Sequence, residues 1–293
     1  MTRVGVVGLG DMGSGLAKNL MVAGFEVAGF DLSSERMAAF TGAGGVGCGA
    51  AAQVGQGAKA VFVMVMNGDQ ARQVIADLAT VMAAGSAVIL TATIHAHEAR
   101  EIAASLEGTG IDMIDSPVSG GQPGAMGGTL ALMASGTDAA MAAQRDVLEA
   151  VSKVIHHVGQ EVGDGQAMKA CLQSLIGSLF AATYELSVLA GKAGISGQVL
   201  REVIASTGAG NGITDGSLEN IMHRRFDGTG SGIGTMWKDL TISLEMAKRE
   251  GVPMHTTATA MQIFQAGIAK YPAGDNQSAA RVIEEIVGAE LAP

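Results

Sequence analysis

A glycine-rich stretch near the start of the chain has the spacing of a phosphate-binding turn. It reads Gly8-Leu9-Gly10-Asp11-Met12-Gly13 and directly follows the apolar segment Val4 to Val7. The first glycine permits a tight turn, the second lets a pyrophosphate approach the backbone, and the third lets helix and strand pack closely. The start of the following helix presents N–H groups to phosphates. The strand–turn–helix context favours a dinucleotide site over a turn that only packs or a methyltransferase-like nucleotide site.

An acidic residue, Asp31, follows the second apolar segment of the chain. A carboxylate at this place can accept hydrogen bonds from both hydroxyls of an adenosine ribose. A 2′-phosphate would meet like charge there, and the following residues supply no cation before Arg36. The sequence therefore predicts NAD as cofactor in preference to NADP. A solvated carboxylate in a turn is the alternative for Asp31 alone.

A second glycine loop could hold an anionic group. It runs from Asp115 to Gly121 and contains Ser119, Gly120 and Gly121 in succession. The serine offers a hydroxyl and the glycines offer two N–H groups, which together could bind a carboxylate. Taken alone, the segment is also compatible with an ordinary turn.

A lysine, Lys169, lies in the first turns of a long apolar helix that follows Gly163 and Gly165. The positive end of the helix and a partly desolvated setting both oppose the charged amine. Lys169 is thus a candidate for proton exchange near neutral pH. A surface lysine whose stem lies along the helix is an equally good interpretation.

The spacing of apolar residues indicates the elements that must position these groups. Short apolar segments alternate with stretches of helical spacing through the first half of the chain, which predicts an α/β Rossmann domain with a mostly parallel, doubly wound sheet. Beyond Gly163 the pattern is helical. It predicts a long helix over 167–193, a loop over 207–216, and helices over 236–249 and 257–268. We expect a dinucleotide-binding domain at residues 1–162 and an all-α substrate and oligomerisation domain at 163–293, joined by the long helix.

Composition narrows the class of protein. The 293 residues carry a net charge of −10 and are 48% hydrophobic, which favours a globular protein and argues against nucleic acid or an anionic membrane as partner. Two cysteines are too few for a disulfide framework, and no signal peptide or membrane span is predicted, so a cytoplasmic location is expected.

His156 and His157 would point to opposite faces of a strand, and His95 and His97 lack a third ligand, so no metal site is predicted.

Four segments in order resemble the β-hydroxyacid dehydrogenase family, which includes 3-hydroxyisobutyrate dehydrogenase, tartronate semialdehyde reductase and L-threonate dehydrogenase and is related to 6-phosphogluconate dehydrogenase. They are Val6 to Gly13, Asp115 to Gly121, Gly163 to Lys169, and Trp237 to Leu240. The resemblance covers essentially the whole chain. It implies a Rossmann domain, a helical C-terminal domain, an active site between them, and assembly into dimers or tetramers.

The resemblance also implies roles for individual residues. Lys169 matches the catalytic acid/base, and Ser119, Gly120 and Gly121 match the groups that hold the substrate carboxylate. Lys238 matches a lysine that closes over cofactor and substrate, although it also reads as a solvated lysine at a helix start. Thr93 matches a threonine beside the nicotinamide, although it also reads as a turn hydroxyl. Met66 and Asn67 stand where the family has a cofactor-binding turn.

The chain departs from many family members next to the lysine. Leu172 and Gln173 stand where two asparagines are common, and the glutamine is similar to members resembling L-threonate dehydrogenase. Gln173 is predicted to orient the substrate hydroxyl, with a buried structural amide as the alternative. The expected activity is NAD-dependent interconversion of a small anionic 3-hydroxy or polyhydroxy acid and its oxo form, with L-threonate favoured. Alternatives are 3-hydroxyisobutyrate or tartronate semialdehyde as substrate, imine reduction, and a non-catalytic NAD-binding sensor or scaffold.

Overall fold

The structure is a computed structural model that describes residues Met1 to Pro293. The chain divides into two compact units, Met1–Lys169 and Ala170–Pro293. The division falls inside one helix, Asp164–Lys192, so Lys169 closes the first unit and Gln173 belongs to the second. The predicted division at residue 162 and the roles given to the two domains remain predictions.

The first unit is built on a nine-stranded sheet in the order β3-β2-β1-β4-β5-β6-β8-β7, with β9 paired to β8. The strands are β1 (Arg3–Val7), β2 (Glu26–Phe30), β3 (Val46–Gly47), β4 (Ala60–Val63), β5 (Ala87–Leu90), β6 (Asp112–Asp115), β7 (Val118–Ser119), β8 (Leu130–Ser135) and β9 (Ser152–Gly159). Strands β1 to β6 pair in parallel, whereas β8 is antiparallel to β6 and β7. The predicted mostly parallel Rossmann sheet is confirmed.

Eight helices connect these strands before the long helix begins. They are α1 (Asp11–Val22), α2 (Ser34–Gly42), α3 (Ala51–Gly55), α4 (Gly68–Ala79), α5 (Ala96–Ser105), α6 (Gly121–Gly127), α7 (Asp138–Ala143) and α8 (Arg145–Glu149), followed by α9 (Asp164–Lys192). Strands β4 and β5 are completely buried because both faces of the sheet are covered. Val6 and Phe62 pack on one side, and Val7 and Val63 pack on the other, as alternation along a strand requires.

The second unit is helical, as predicted. After α9 it contains α10 (Gly197–Ala205), α11 (Gly212–Met222), α12 (Ile233–Glu250), α13 (His255–Lys270), a 3₁₀ turn (Asn276–Ala279) and α14 (Ala280–Val287). Phe180, Tyr184 and Phe264 form an aromatic centre with ring centroids 6.0 to 6.2 Å apart. The Tyr184 hydroxyl is buried there and donates to the carbonyl oxygen of Asn276 at 2.8 Å.

One predicted boundary is wrong. The glycine-rich segment 207–216 was expected to be a loop, but α11 begins at Gly212. The side chain of Asn211 explains the difference, because its Oδ1 accepts hydrogen bonds from the backbone N–H groups of Ile213 and Thr214, both at 3.0 Å. A cap of this kind starts a helix where the glycine content alone favours a loop.

Helix α9 is long and apolar enough to cross a membrane by length and composition alone. Half of its most apolar window is buried inside the molecule, and the core helix of a soluble protein passes the same test. The length and apolar composition of α9 are therefore only weak evidence for a membrane span.

The start of α9 is fixed by a buried carboxylate at the end of β6. Asp115 is fully buried, and its Oδ2 accepts hydrogen bonds from the backbone N–H groups of Gly163 and Gln166, both at 3.0 Å. A Cβ at Gly165 would lie 2.5 Å from the carbonyl oxygen of Met133, so only glycine lets the helix approach the strands this closely. Asp115 thereby takes up two of the N–H groups that the first turn of a helix leaves without partners.

The titration of Asp115 gives a prediction about stability. Burial raises the pKa of Asp115 to about 6 from 3.8, although the surrounding N–H and O–H donors act in the opposite direction. A carboxyl with a raised pKa binds a proton more tightly in the folded protein, so folding is favoured as the pH falls through about 6. Relative to Asp115→Asn, the wild-type protein should gain on the order of 1 kcal/mol of unfolding free energy between about pH 7 and about pH 5.

Urea unfolding of both proteins at the two pH values measures this difference. The asparagine variant serves as the reference because it has no titrating group at this position, and any loss of stability that does not depend on pH cancels from the change between the two pH values. A difference in stability that stays constant, or that falls toward acid pH, would contradict the raised pKa.

Candidate active site

The glycine turn between β1 and α1 is closed on one side and open on the other. Gly8 has a φ of +91°, and a Cβ there would collide with the carbonyl oxygen of Met64. A Cβ at Gly13 would collide with the carbonyl oxygen of Gly8. At Gly10, by contrast, the nearest atoms are those of the Arg36 guanidinium, the closest at 3.7 Å. The backbone around Gly10 is therefore accessible to a bound group.

These residues fit a nicotinamide dinucleotide. No side chain caps the start of α1 at Gly10, and the N–H groups of Asp11, Met12 and Gly13 have no acceptor within the helix. They are thus available to a pyrophosphate. The turn lies where the order of strands reverses between β1 and β4, which is where doubly wound sheets bind their ligands.

Asp31 follows β2 immediately and is tied to the glycine turn. Its Oδ2 accepts a hydrogen bond from the N–H of Leu9 at 2.7 Å, and its Oδ1 accepts one from the N–H of Ser33 at 2.8 Å. The Arg36 guanidinium lies 3.6 Å from Oδ2. The sequence supplies no cation between Asp31 and Arg36, but helix α2 brings the Arg36 guanidinium beside both Asp31 and Gly10. The expectation that no cation lies near Asp31 is therefore wrong.

Met66 and Asn67 follow β4 at the same edge of the sheet as the glycine turn. Asn67 caps α4 by accepting a hydrogen bond from the N–H of Gln70 at 2.9 Å. The N–H of Met66 donates to Gln70 Oε1 at 3.0 Å, and the residue is 68% exposed. A methionine at such exposure is available to a ligand and is not part of the core.

Lys169 lies against the second glycine loop. The residue is 7% exposed, and its Nζ donates a hydrogen bond to the carbonyl oxygen of Val118 at 2.8 Å. Ser119 follows directly, and the loop then turns at Gly120, whose φ is +130°. No side chain caps α6 at Gly120, and Ser119 and Gly120 directly follow the Val118 carbonyl that Lys169 contacts.

A glutamine that sequence reasoning did not single out, Gln166, connects three parts of this site. Its Nε2 donates to Asp115 Oδ1 at 2.7 Å and to the carbonyl oxygen of Ala92 at 2.9 Å. Its Oε1 accepts from the N–H of Ile94 at 3.0 Å. These two backbone contacts flank Thr93. The only signal in the sequence was an amide in the first turn of an apolar helix, three residues before Lys169.

In the second unit, Gln173 and Lys238 share one buried acid. Gln173 Nε2 donates to Asp239 Oδ2 at 2.6 Å, and both residues are buried. Lys238 Nζ lies 3.1 Å from Asp239 Oδ1. Asp239 was part of the recognised Trp237 to Leu240 segment, but its pairing with Gln173 depends on helix packing that spacing does not reveal.

The histidine pairs have local partners. His157 Nε2 lies 2.8 Å from the carbonyl oxygen of Gly136, and its Nδ1 lies 3.6 Å from Asp138. The rings of His95 and His97 are 5.2 Å apart. The structure contains no group of three or more histidine, cysteine, aspartate or glutamate side chains arranged to hold a metal ion.

Comparison with known proteins gives consistent matches over the whole chain. Residues 3–159 match the NAD binding domain of 6-phosphogluconate dehydrogenase. Residues 163–283 match the family described as NAD-binding of NADP-dependent 3-hydroxyisobutyrate dehydrogenase. L-threonate dehydrogenase of Escherichia coli O6:H1 is 35% identical over 97% of this chain and 95% of its own.

Solved structures agree. A 3-hydroxyisobutyrate dehydrogenase from Salmonella typhimurium superposes with a TM-score of 0.88 at 32% identity, covering 96% of this chain and 100% of that one. A Mycobacterium tuberculosis 3-hydroxyisobutyrate dehydrogenase with L-serine gives 0.89 at 28% identity, covering 97% and 99%. The chain therefore belongs to the β-hydroxyacid dehydrogenase family and is an NAD-binding oxidoreductase that acts on the CH–OH group of a hydroxy acid.

Proposed function

We propose that this protein oxidises a small 3-hydroxy or polyhydroxy carboxylic acid, with L-threonate favoured, and that Lys169 exchanges the proton of the reacting hydroxyl. The observation that carries the proposal is the buried Lys169 amine, whose Nζ lies 2.8 Å from the carbonyl oxygen of Val118, the residue before Ser119. A buried amine beside an anion-binding loop has the position that a proton-transferring group needs.

In this proposal Lys169 Nζ takes the hydroxyl proton when the alcohol is oxidised and returns it when the oxo acid is reduced. Nicotinamide, when bound, accepts or returns the hydride at the carbinol carbon. The chain itself supplies orientation and proton transfer. Ser119 Oγ and the N–H groups of Gly120 and Gly121 bind the substrate carboxylate, while Thr93 lies on the nicotinamide side and Lys238 closes over both ligands.

Gln173 is proposed to orient the hydroxyl. It lies four residues after Lys169 on α9, so both side chains project from one face of the helix. One Nε2 hydrogen is donated to Asp239 at 2.6 Å, so the second amide hydrogen and the carbonyl oxygen of Gln173 are the groups proposed to bond the substrate. A substrate with a further hydroxyl can bond both of these groups, which favours a polyhydroxy acid over 3-hydroxyisobutyrate.

The similarity to L-threonate dehydrogenase over nearly the full length also supports this substrate class. Substrates related to 3-hydroxyisobutyrate, tartronate semialdehyde or serine are the alternatives. We further propose a cytoplasmic homodimer or homotetramer whose cofactor is bound by residues 1–162, with residues 163–293 supplying substrate and oligomer contacts. Nucleic acid, membrane and metal ions have no part in the proposed activity.

A non-catalytic NAD-binding sensor or scaffold is the alternative of a different class. Such a protein needs the glycine turn and Asp31 but has no use for a buried lysine at the second glycine loop. Decarboxylation of a phosphorylated sugar acid is disfavoured because the sequence provides no arginine cluster to bind the phosphate.

Replacing Lys169 tests the activity and its mechanism together. Wild-type protein should reduce NAD with at least one member of a panel of L-threonate, D-glycerate, 3-hydroxyisobutyrate, serine and a sulfonated analogue. Lys169→Ala should lower kcat with that substrate by about 10²- to 10⁴-fold while NADH binding persists. Lys169→Arg should also be slow, because a guanidinium keeps its proton. Absorbance of NADH measures turnover, and fluorescence titration measures binding.

Lys192→Ala is the matched control, since Lys192 is an exposed lysine in the last turn of the same helix. It should leave kcat unchanged. Full turnover by Lys169→Ala would refute the lysine mechanism, and absence of turnover with every hydroxy acid in the wild-type protein would favour the sensor.

The cofactor preference is tested at Asp31. Wild-type protein should have the higher kcat/KM with NAD, and Asp31→Ser should lose about tenfold or more of its preference, because it removes ribose acceptors and the like charge facing a 2′-phosphate. Arg36, 3.6 Å from Asp31 in the wild type, would then be free to meet that phosphate. Glu35→Gln, which removes an exposed acid of the same helix, is the control. A wild-type preference for NADP would overturn the assignment.

A further inference from the structure

We infer that Asp115 and Gln166 are positioning residues, and that their buried contact sets the place of Lys169 relative to the two loops beside it. This inference rests on the proposed role of Lys169. Neither residue is assigned to the substrate or the cofactor. Both act through the backbone segments to which they are bonded.

The contact joins three segments that are far apart in the chain. Gln166 binds the backbone on both sides of Thr93, at Ala92 and Ile94. Asp115 begins the loop that contains Ser119 to Gly121. Gln166 itself lies in the first turn of α9, three residues before Lys169. A single hydrogen bond of 2.7 Å between Gln166 Nε2 and Asp115 Oδ1 thus connects the threonine segment, the glycine loop and the lysine helix.

The start of α9 is attached to the β6–β7 segment at two points, which are three residues apart in both segments. Asp115 meets Gln166, and three residues later in each segment Val118 meets Lys169, whose Nζ donates to the Val118 carbonyl at 2.8 Å. Residues three apart on a helix share one face, so Gln166 and Lys169 both project toward the β6–β7 segment. Two contacts fix both the distance and the rotation of the helix start, which one contact could not do.

The chemistry of the pair allows little substitution. Asp115 is 0% and Gln166 is 1% exposed. The groups facing Asp115 are hydrogen-bond donors: two backbone N–H groups, the Gln166 amide and, at 3.5 Å, the Ser135 hydroxyl. Gln166 uses both amide hydrogens and its carbonyl oxygen. Loss of either side chain leaves buried polar groups without partners, and the segments must then move to find new ones.

A small displacement is enough to affect catalysis. A shift of about 1 Å in a positioned group can reduce turnover by roughly 10²-fold. The glycine turn at β1 is not bonded to this pair, so binding of the adenosine part of the cofactor should be affected much less. The contact should therefore influence kcat more than cofactor affinity.

The test compares two buried glutamines. Gln166→Met keeps the length of the side chain and removes its hydrogen bonds. Gln144→Met is the matched control, because Gln144 is also 1% exposed in the first unit and its Oε1 has no hydrogen-bond partner. Thermal unfolding, the NADH dissociation constant, and kcat across pH are measured for both with the substrate that the wild-type protein turns over.

We expect Gln166→Met to lower kcat by about 10- to 100-fold, to shift the pH dependence of kcat, and to change NADH affinity by less than about threefold. Gln144→Met should alter only the unfolding temperature. If Gln166→Met does not fold, Asp115→Asn takes its place in the test. The amide hydrogens of the new asparagine face the Gln166 amide donor, so this variant should show the same loss of kcat.

Unchanged kcat and an unchanged pH profile in a folded Gln166→Met or Asp115→Asn protein would overturn the inference. Lys169→Ala separates this failure from failure of the proposed function. If Lys169→Ala is inactive and Gln166→Met is fully active, only the positioning role is wrong. If Lys169→Ala is active, the lysine mechanism itself is wrong.

Discussion

The burial of the Asp115 carboxylate is the constraint on which the first unit depends. An ionised carboxylate away from water is costly unless donors surround it, and here the donors come from the start of α9 and from Gln166. Burial raises the pKa of Asp115 to about 6, which shows that the donors do not fully offset the loss of water. The helix must begin where its N–H groups reach this carboxylate, and that requirement places Lys169.

The parallel sheet explains how residues from distant parts of the sequence reach one edge. Strands β1, β4, β5 and β6 are neighbours and run in the same direction. The segments that follow them carry the glycine turn, Met66 and Asn67, Thr93, and the loop from Asp115. The carboxyl ends of parallel strands lie at the same edge of a sheet. The strand order alone therefore brings the four predicted site segments to one edge, and no contact between their side chains is needed for this.

Features that are local in sequence could be predicted from it. The glycine turn and Asp31 depend on one strand–helix–strand unit, and periodicity placed α9, α12 and α13 within a few residues of their observed bounds. Gln166 could not be found in this way because its partners Ala92 and Asp115 lie 74 and 51 residues away. The same holds for Asp239, which is 66 residues from Gln173. The predicted loop at 207–216 extends too far, because the Asn211 side chain caps helix α11 and this cap outweighs the preference of the surrounding glycines for a loop.

We propose that the lysine-dependent dehydrogenase centre is built on a contact between a buried acid, Asp115, and a buried amide, Gln166. The informative measurement is a double-mutant cycle that exchanges the two groups, Asp115→Asn with Gln166→Glu, because the asparagine amide can donate to the new carboxylate while its carbonyl still accepts from Gly163. The bond to the Ala92 carbonyl is lost in both Gln166→Glu and the double variant, so that loss cancels in the comparison. The kcat of the double variant should lie roughly tenfold above the value expected if the two single losses simply multiplied. Losses that multiply without any recovery would show that the contact between Asp115 and Gln166 does not position Lys169.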